Sequence, residues 1–462
     1  MKIIVQLIMT LSCALSPWVT IAQTPVLLRT FNNPTPAVGD NFGQCMAALG
    51  QDRVLIGAPY DDTYGTNAGV AYLFHTNGTL LTTFTNPHPT ISYSTLGDWF
   101  GNAISTLGND LVVIGAPYEG KVYLFTTNGS LVTNLTPSNQ SDSFSFGAAV
   151  SAFGNDRILI GAPESNWDNN YYDWFGAAYL YSTNGSLLAT FSNPDRPFVF
   201  GLGCAAAVLG NDRVLIGASG YDSGAAYLYN TNGTLLMTFT NPAPSHGDYF
   251  GKSVVVAGTD RVLVSAPAFG TNTGAVYLFN TNATLLMTIS NPTPASYDNF
   301  AWGMAMLGSD RVVIGAPGDD TTGTNAGSAY VFDFNGTLLA TINNPAPAPD
   351  DYFGSRVLAV GDEGVIILSQ LDDTGTGNAT SISLFNVPSQ TAPSLTIHMT
   401  ASNTVAVSWP SPSSGFVLQQ NNAGVSSVNW SNVTASIQDD GTNKSVSVSP
   451  SLGNRFFRLL KP

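Results

Sequence analysis

Between Val26 and Pro388 the chain alternates short apolar runs with short polar breaks, and the order of the runs repeats. A unit opens with small residues, as in GAAVSAF (Gly147–Phe153), and after a brief polar break continues with a solid apolar run such as RVLIGA (Arg53–Ala58). A longer break leads to an aromatic run, AAYLY (Ala225–Tyr229), and a Thr-Asn-Gly turn to TLLMTF (Thr234–Phe239). Runs this short, bounded by Gly, Asn and Pro and rich in β-branched and aromatic residues, predict strands. No helical period survives the density of glycine and proline. Asn-Gly at Asn77, Asn128, Asn184, Asn232 and Asn335, with Asn-Ala at Asn282, predicts type I′ hairpins, in which both turn residues take positive φ. The same asparagines read as Asn-x-Ser/Thr sequons, but the turn chemistry accounts for them.

The unit recurs from Phe42, Phe100, Phe146, Leu202, Phe250, Phe300 and Phe353, at outer spacings of 46 to 58 residues. Inside each unit the second residue precedes the first position of a Gly-Ala-Pro triplet by 14 residues, as at Gly43 and Gly57 or Gly101 and Gly115. A constant inner distance with variable outer spacing predicts a rigid hairpin joined by elastic loops. Four antiparallel strands per unit form the plan of a propeller blade, and small residues suit inner strands that converge on a central channel. The last unit ends at SISLFNVP (Ser381–Pro388) without a fourth strand, while VLLRTFNNP (Val26–Pro34) matches a fourth strand and its following loop. The N-terminal strand is therefore expected to complete the seventh blade and remove two free sheet edges. The predicted fold is all-β: a seven-bladed β-propeller closed by an N-terminal strand, plus a small C-terminal β-sandwich-like domain.

Composition narrows the partners. Of the 462 residues only 10% are charged, against roughly a quarter in ordinary globular chains, and the net charge of −15 cannot attract a phosphate backbone. Nucleic acid is excluded as a partner. Residues 1–22 read as a secretory signal peptide: Lys2, an apolar stretch from Ile3 to Leu15, and a small-residue site at Thr20-Ile21-Ala22. Pro17 interrupts a run already too short to span a bilayer, and no later stretch could insert in a membrane. The mature chain is expected to be secreted or at the cell surface, and monomeric. The domain boundaries read as 1–22 for the signal peptide, 23–388 for the propeller, 389–393 for a linker and 394–462 for the C-terminal β domain.

The paired Phe-Gly and Gly-Ala-Pro motifs resemble the FG-GAP repeat of integrin α-subunit propellers and their bacterial relatives, over about four-fifths of the chain. The resemblance implies a seven-bladed propeller with a ligand-recognition or adhesion role. Many members carry a calcium loop between the first two strands, but here that segment is Gly-Asn-Asp-Arg or similar (Gly154–Arg157, Gly210–Arg213). So short a segment cannot supply six to eight oxygens. No cofactor is expected, and calcium has no recognisable loop. The repeated Asp52, Asp110, Asp156, Asp212, Asp260 and Asp310 read as turn formers.

Loops from the second to the third strand, and from the fourth strand to the next blade, are long and variable, and both open onto one face. That face is the expected recognition surface. Blade three carries ESNWDNNYYDWFG, with Trp167, Tyr171, Tyr172 and Trp174, and Trp99 precedes blade two. Aromatics interleaved with Asn and Asp suit sugar stacking; a loop folded over its own rings is the alternative. Asp61, Asp62, Asp319, Asp320, Asp372 and Asp373 stand at matched positions in blades one, six and seven. They read either as a weak cation sector or as aspartates that start glycine turns. Catalytic signatures are missing: no Gly-x-Ser-x-Gly, no His-Glu-x-x-His and no phosphate loop, and His75, His88, His246 and His398 lack metal-ligand spacing. Cys45 and Cys204 fall in the inner strands of blades one and four, read as corresponding positions, free and buried, too far apart to bond. The function expected is non-catalytic binding or adhesion to an extracellular protein or glycan; the alternative is a carbohydrate-binding or polysaccharide-degrading protein that uses the blade-three aromatics.

Overall fold

The computed structural model describes residues 24–89, 97–137, 145–164, 175–195, 201–220, 224–267, 273–372, 379–388, 395–399, 404–411, 416–422, 429–440, 443–448 and 455–460. Seven four-stranded antiparallel sheets form the repeat region. Blade one runs Met46–Leu49, Arg53–Ala58, Val70–His75 and Leu80–Thr85 from the inside outward. Blades two to six repeat this order. In the seventh, Arg356–Val360, Gly364–Asp372 and Ala379–Asn386 are completed by Val26–Phe31. Val26 pairs with Asn386 and Phe31 with Ile382, with a bulge between Leu27 and Arg29. The inner strands neighbour one another in sequence order, and those of blades seven and one also meet. The ring is closed.

The second strands are solid apolar runs because both of their faces are covered. Val54 to Ala58 are buried throughout, on the two sides of a sheet squeezed between neighbours. The core is accordingly divided into seven clusters, one at each junction between blades. The cluster between blades seven and one joins Phe31, Phe42, Tyr72 and Phe74 to Ile366, Leu368 and Ile382. The outer strands of blades one, three, four and five bury one anchor each, such as Phe84 or Phe191, and leave their leading Leu-Leu pairs exposed, whereas that of blade six also buries Leu339 and Ala340.

The 14-residue spacing has a direct cause. Gly43 donates its backbone N–H to the Gly57 carbonyl at 2.8 Å, and Gly101 to Gly115 and Gly147 to Gly161 at 3.0 Å. The same glycines meet across the blade junction. A Cβ on Gly57 would lie 2.1 Å from the Gly101 oxygen of blade two, and one on Gly115 would lie 2.1 Å from the Gly147 oxygen of blade three. The second glycine of the motif is thus held to zero side chain by the next blade's backbone, and the first is crowded by the preceding blade, as at Gly101, whose Cβ would lie 2.7 Å from the Val70 oxygen. At the junction of blades five and six the positions carry Ser265 and Ala301 instead.

Two local expectations are corrected. The hairpins between third and fourth strands are not type I′: only the Gly of each Asn-Gly takes positive φ, as at Gly78 (90°) and Gly129 (93°). Gly78 N–H bonds back to the His75 carbonyl and His75 N–H to the Thr79 carbonyl, a type I turn closed by a bulge at Gly78. The extra residue lets Asn77 Oδ1 accept the Thr79 N–H at 2.9 Å, which a two-residue turn would not allow. The cysteines also do not correspond, because Cys45 stands opposite Gly57 whereas Ala205 takes that place in blade four, opposite Gly217. Both are free and half-buried rather than fully buried, since the inner strands border the axial opening.

Beyond the ring, two antiparallel sheets follow. One orders Thr396–Met399, Val405–Pro410, Asn443–Val448 and Gln438–Asp439; the other orders Ser431–Asn432, Val417–Asn421 and Phe456–Leu460. Trp409, Val407, Leu418 and Val446 fill the space they enclose. No helix among the described residues is long and apolar enough to cross a membrane.

Candidate functional site

The long-loop face is built on a polar frame that recurs in nearly every connector between blades. Asn33 donates its amide to Asp40 Oδ2 at 2.7 Å, and Asn86 to Asp98, Asn241 to Asp248, Asn291 to Asp298 and Asn344 to Asp351 do likewise at 2.6–2.9 Å. The other end of each amide accepts a backbone N–H two residues on, as with His88 on Asn86 Oδ1 at 2.9 Å. Four of these pairs are 7 residues apart and the Asn86–Asp98 pair is 12 apart, so connectors of nearly constant length are tied internally by the same two side chains. Burial holds the Asp40 and Asp298 carboxyls above the usual carboxylate range; bonds from Ala37 and Ala295 N–H pull them down, and Asp61 and Asp319 add repulsion. This frame was not singled out from the sequence, although the recurring Asn-Pro…Asp spacing was there to see.

Asp61, Asp62, Asp319 and Asp320 act locally. Asp61 is buried and accepts from Thr35 Oγ1 at 2.8 Å, Tyr72 OH at 2.9 Å and the Thr63 N–H at 2.8 Å. Asp319 repeats the arrangement with Thr293, Tyr330 and Thr321. Asp62 and Asp320 each accept one backbone N–H, from Asn67 and Asn325. These contacts are those of turn formers. Asp372 ends the second strand of blade seven, and Asp373 lies outside the described residues. Among the described residues no group of three or more His, Cys, Asp or Glu could hold a metal ion.

Of the aromatic candidates, Trp167, Tyr171, Tyr172 and Trp174 lie outside the described residues. Trp99 is half-buried on the long-loop face between two tyrosines from different blades. Its ring centroid is 4.9 Å from Tyr60, edge to face, and 4.0 Å from Tyr118, tilted by 44°. Both tyrosines follow a Gly-Ala-Pro triplet, so the repeat itself brings them to Trp99. The Tyr60 phenol is raised by burial and then by the neighbouring Tyr118 hydroxyl. Tyr118 and Tyr64 remain 38% and 53% exposed. Trp99 has φ of 57°, a left-handed backbone that Asn41 and Asn299 occupy at the same place in blades one and six. Ser145, Gly201, Tyr249 and Tyr352 take positive φ at this place in the other blades, so the conformation belongs to the repeat and tolerates bulky side chains.

Beneath this trio lies Glu119, buried and fully engaged. Lys121 Nζ sits 2.5 Å from Oε1, Tyr123 OH donates to the same carboxylate, and Asn86 Nδ2 reaches Oε2 at 3.1 Å. Burial first, and then Glu119, keeps the Tyr123 phenol well above its usual value, so it stays a donor. Asn86 thereby bridges Asp98 and Glu119, two carboxylates close to an aromatic surface. The Asp98 half recurs in blades that have no Glu119 equivalent, which marks it as architecture.

The inner strands present a second cluster. Arg356 of blade seven donates Nε to the Gln44 carbonyl of blade one at 3.0 Å, across the ring closure. Burial lowers its guanidinium and pushes the nearby Cys45 thiol up to about 12. The Cys45 thiol donates to the Gly101 carbonyl at 2.8 Å. Two blades away, Lys252 Nζ stands 5.3 Å from the centre of the Trp302 ring.

Comparison with known proteins agrees with this architecture. Residues 36–74 and 288–332 match the FG-GAP repeat family. No curated protein matches the chain. Among solved structures, virginiamycin B lyase from Staphylococcus aureus is similar at 10% identity with a TM-score of 0.54, covering 78% of this chain and 99% of that one. YCF48 bound to D1 peptide is similar at 12% identity with a TM-score of 0.49, covering 81% of this chain and all of that one. Such likeness concerns the fold alone.

Proposed function

We propose that this chain, an FG-GAP-repeat β-propeller, is an exported, non-catalytic recognition protein that engages an extracellular ligand with its long-loop face. A binding role suits the fold, in which a rigid ring presents loops of variable length. The observation that carries the reading is the Asn–Asp frame. Five connectors on that face are tied internally by amide–carboxylate pairs, so these segments have little conformational entropy left to lose on binding. The apolar leader pattern of residues 1–22 supports export.

A polysaccharide-degrading enzyme is the second reading, favoured only by the proximity of Asp98 and Glu119. Both are engaged within the protein, Asp98 by the Asn86 amide and Glu119 by Lys121, Tyr123 and Asn86. The experiment uses a Cys45→Ala/Cys204→Ala background with one added cysteine carrying polyethylene glycol. At Thr66→Cys on the long-loop face the polymer abolishes attachment to immobilised extracellular-matrix and cell-surface extracts. At Ser130→Cys on the opposite face it leaves attachment intact. Equal effects at the two positions would sink the proposal.

A further inference from the structure

We infer that Tyr60, Trp99 and Tyr118 form a stacking subsite for a pyranose ring of a neutral extracellular polysaccharide, an inference that rests on the recognition role of the long-loop face. Three observations converge on it. First, the rings come from three separate segments, the two second-to-third-strand loops of blades one and two and the connector between them, and meet as one continuous patch. Centroids only 4.0 and 4.9 Å apart leave no gap for a cation to enter between rings, so a cage for an ammonium or guanidinium group is ruled out by geometry. A contiguous aromatic surface instead suits the flat C–H face of a sugar.

Second, the repeat fixes the backbone that carries Trp99, since the residue at this place has positive φ in all seven blades whatever its side chain. The Trp99 φ of 57° is the one that asparagine takes in blades one and six, and nothing about the turn demands an indole. Third, the two carboxylates closest to the patch are engaged within the protein. Asp98 accepts from the Asn86 amide and Glu119 is paired with Lys121, while Tyr118 remains 38% exposed. The net charge of −15 disfavours a polyanion and leaves a neutral polysaccharide.

The test is affinity electrophoresis of the mature chain through native gels containing dextran, starch, xylan, glucomannan, mixed-linkage β-glucan or galactan, with alginate as the anionic contrast. At least one neutral gel retards the wild-type chain, and alginate does not. Tyr118→Ala and Trp99→Asn weaken that binding about tenfold, the equivalent of about 1.4 kcal/mol. Trp302→Ala, in the inner-strand cluster, leaves it unchanged. Trp99→Asn installs the residue that blades one and six already carry at this backbone conformation, so its loss of binding cannot be ascribed to misfolding. Retardation that survives both substitutions would overturn the subsite and leave face-wide recognition standing. Absence of retardation in all six neutral gels would overturn the saccharide class, and the polymer-blocking experiment then decides the broader reading separately.

Discussion

Gly57→Ala adds one methyl group at a place where the structure leaves no volume for it. Gly57 lies in the second strand of blade one with ordinary extended backbone, so the substitution carries no conformational penalty of its own. The new Cβ would meet the Gly101 oxygen at 2.1 Å, the Gly101 carbonyl carbon at 3.1 Å and Cys45 Sγ at 2.7 Å. A carbon and an oxygen in contact need more than 3 Å, so blade two's backbone would have to withdraw by about 1 Å. It has little freedom to do so, since Gly101 N–H is bonded to the Gly115 carbonyl and its φ is 91°. Overpacking of flexible side chains costs about 1–3 kcal/mol, and a backbone obstacle puts this case at the upper end or beyond, about 3 kcal/mol or more. Gly39→Ala is the matched control: its Cβ would meet nothing within 4 Å, but φ is 94°, so only the left-handed penalty of about 1 kcal/mol applies. Urea unfolding followed by tryptophan fluorescence compares the two. A loss for Gly57→Ala no larger than that for Gly39→Ala would refute the claim that the motif glycines exist for contact between blades.

Other consequences are open to measurement. Phe31 is 2% exposed and packs edge to face on Phe74 at 5.6 Å, so Phe31→Ala costs about 3–4 kcal/mol by urea unfolding; Leu28→Ala, at a residue 56% exposed, costs less than about 0.5 kcal/mol. With its thiol raised to about 12, Cys45 alkylates with iodoacetamide at pH 8 roughly a hundredfold more slowly in the folded chain than in urea, as peptide mass spectrometry reads directly. Asp298 has a raised folded pKa, so the folded state holds its proton to higher pH than the unfolded state does. Its contribution to stability is full below the usual carboxylate range and is lost as pH rises through the folded value. Asp298→Asn, which keeps an acceptor for the Asn291 amide and the Ala295 N–H, therefore raises the urea midpoint relative to wild type at pH 7 more than at pH 3.5; a pH-independent difference would contradict this.

Much of the molecule could be read before any coordinates. Blade number followed from counting units, and ring closure from one missing and one displaced fourth strand, because each blade is a local run of antiparallel strands whose apolar pattern is complete within about fifty residues. The constancy of the 14-residue interval was likewise legible, since both of its ends belong to one hairpin. Individual hairpin geometry was less so: Asn-Gly suits more than one turn, and the choice fell to the bulge that lets the Asn77 side chain bond Thr79.

What tertiary structure alone decided lies between blades. The partner of Gly57 is Gly101, the partner of Cys45 is the Gly101 carbonyl, and Trp99 completes its surface with Tyr60 and Tyr118 from two different units. A repeat pattern announces which residues recur, and every blade announces them alike. It is silent on how far one sheet rotates before the next packs on it, and that rotation determines which side chains from separate segments touch. Chain order thus specified the blades, whereas the packing of one blade on the next specified the aromatic surface.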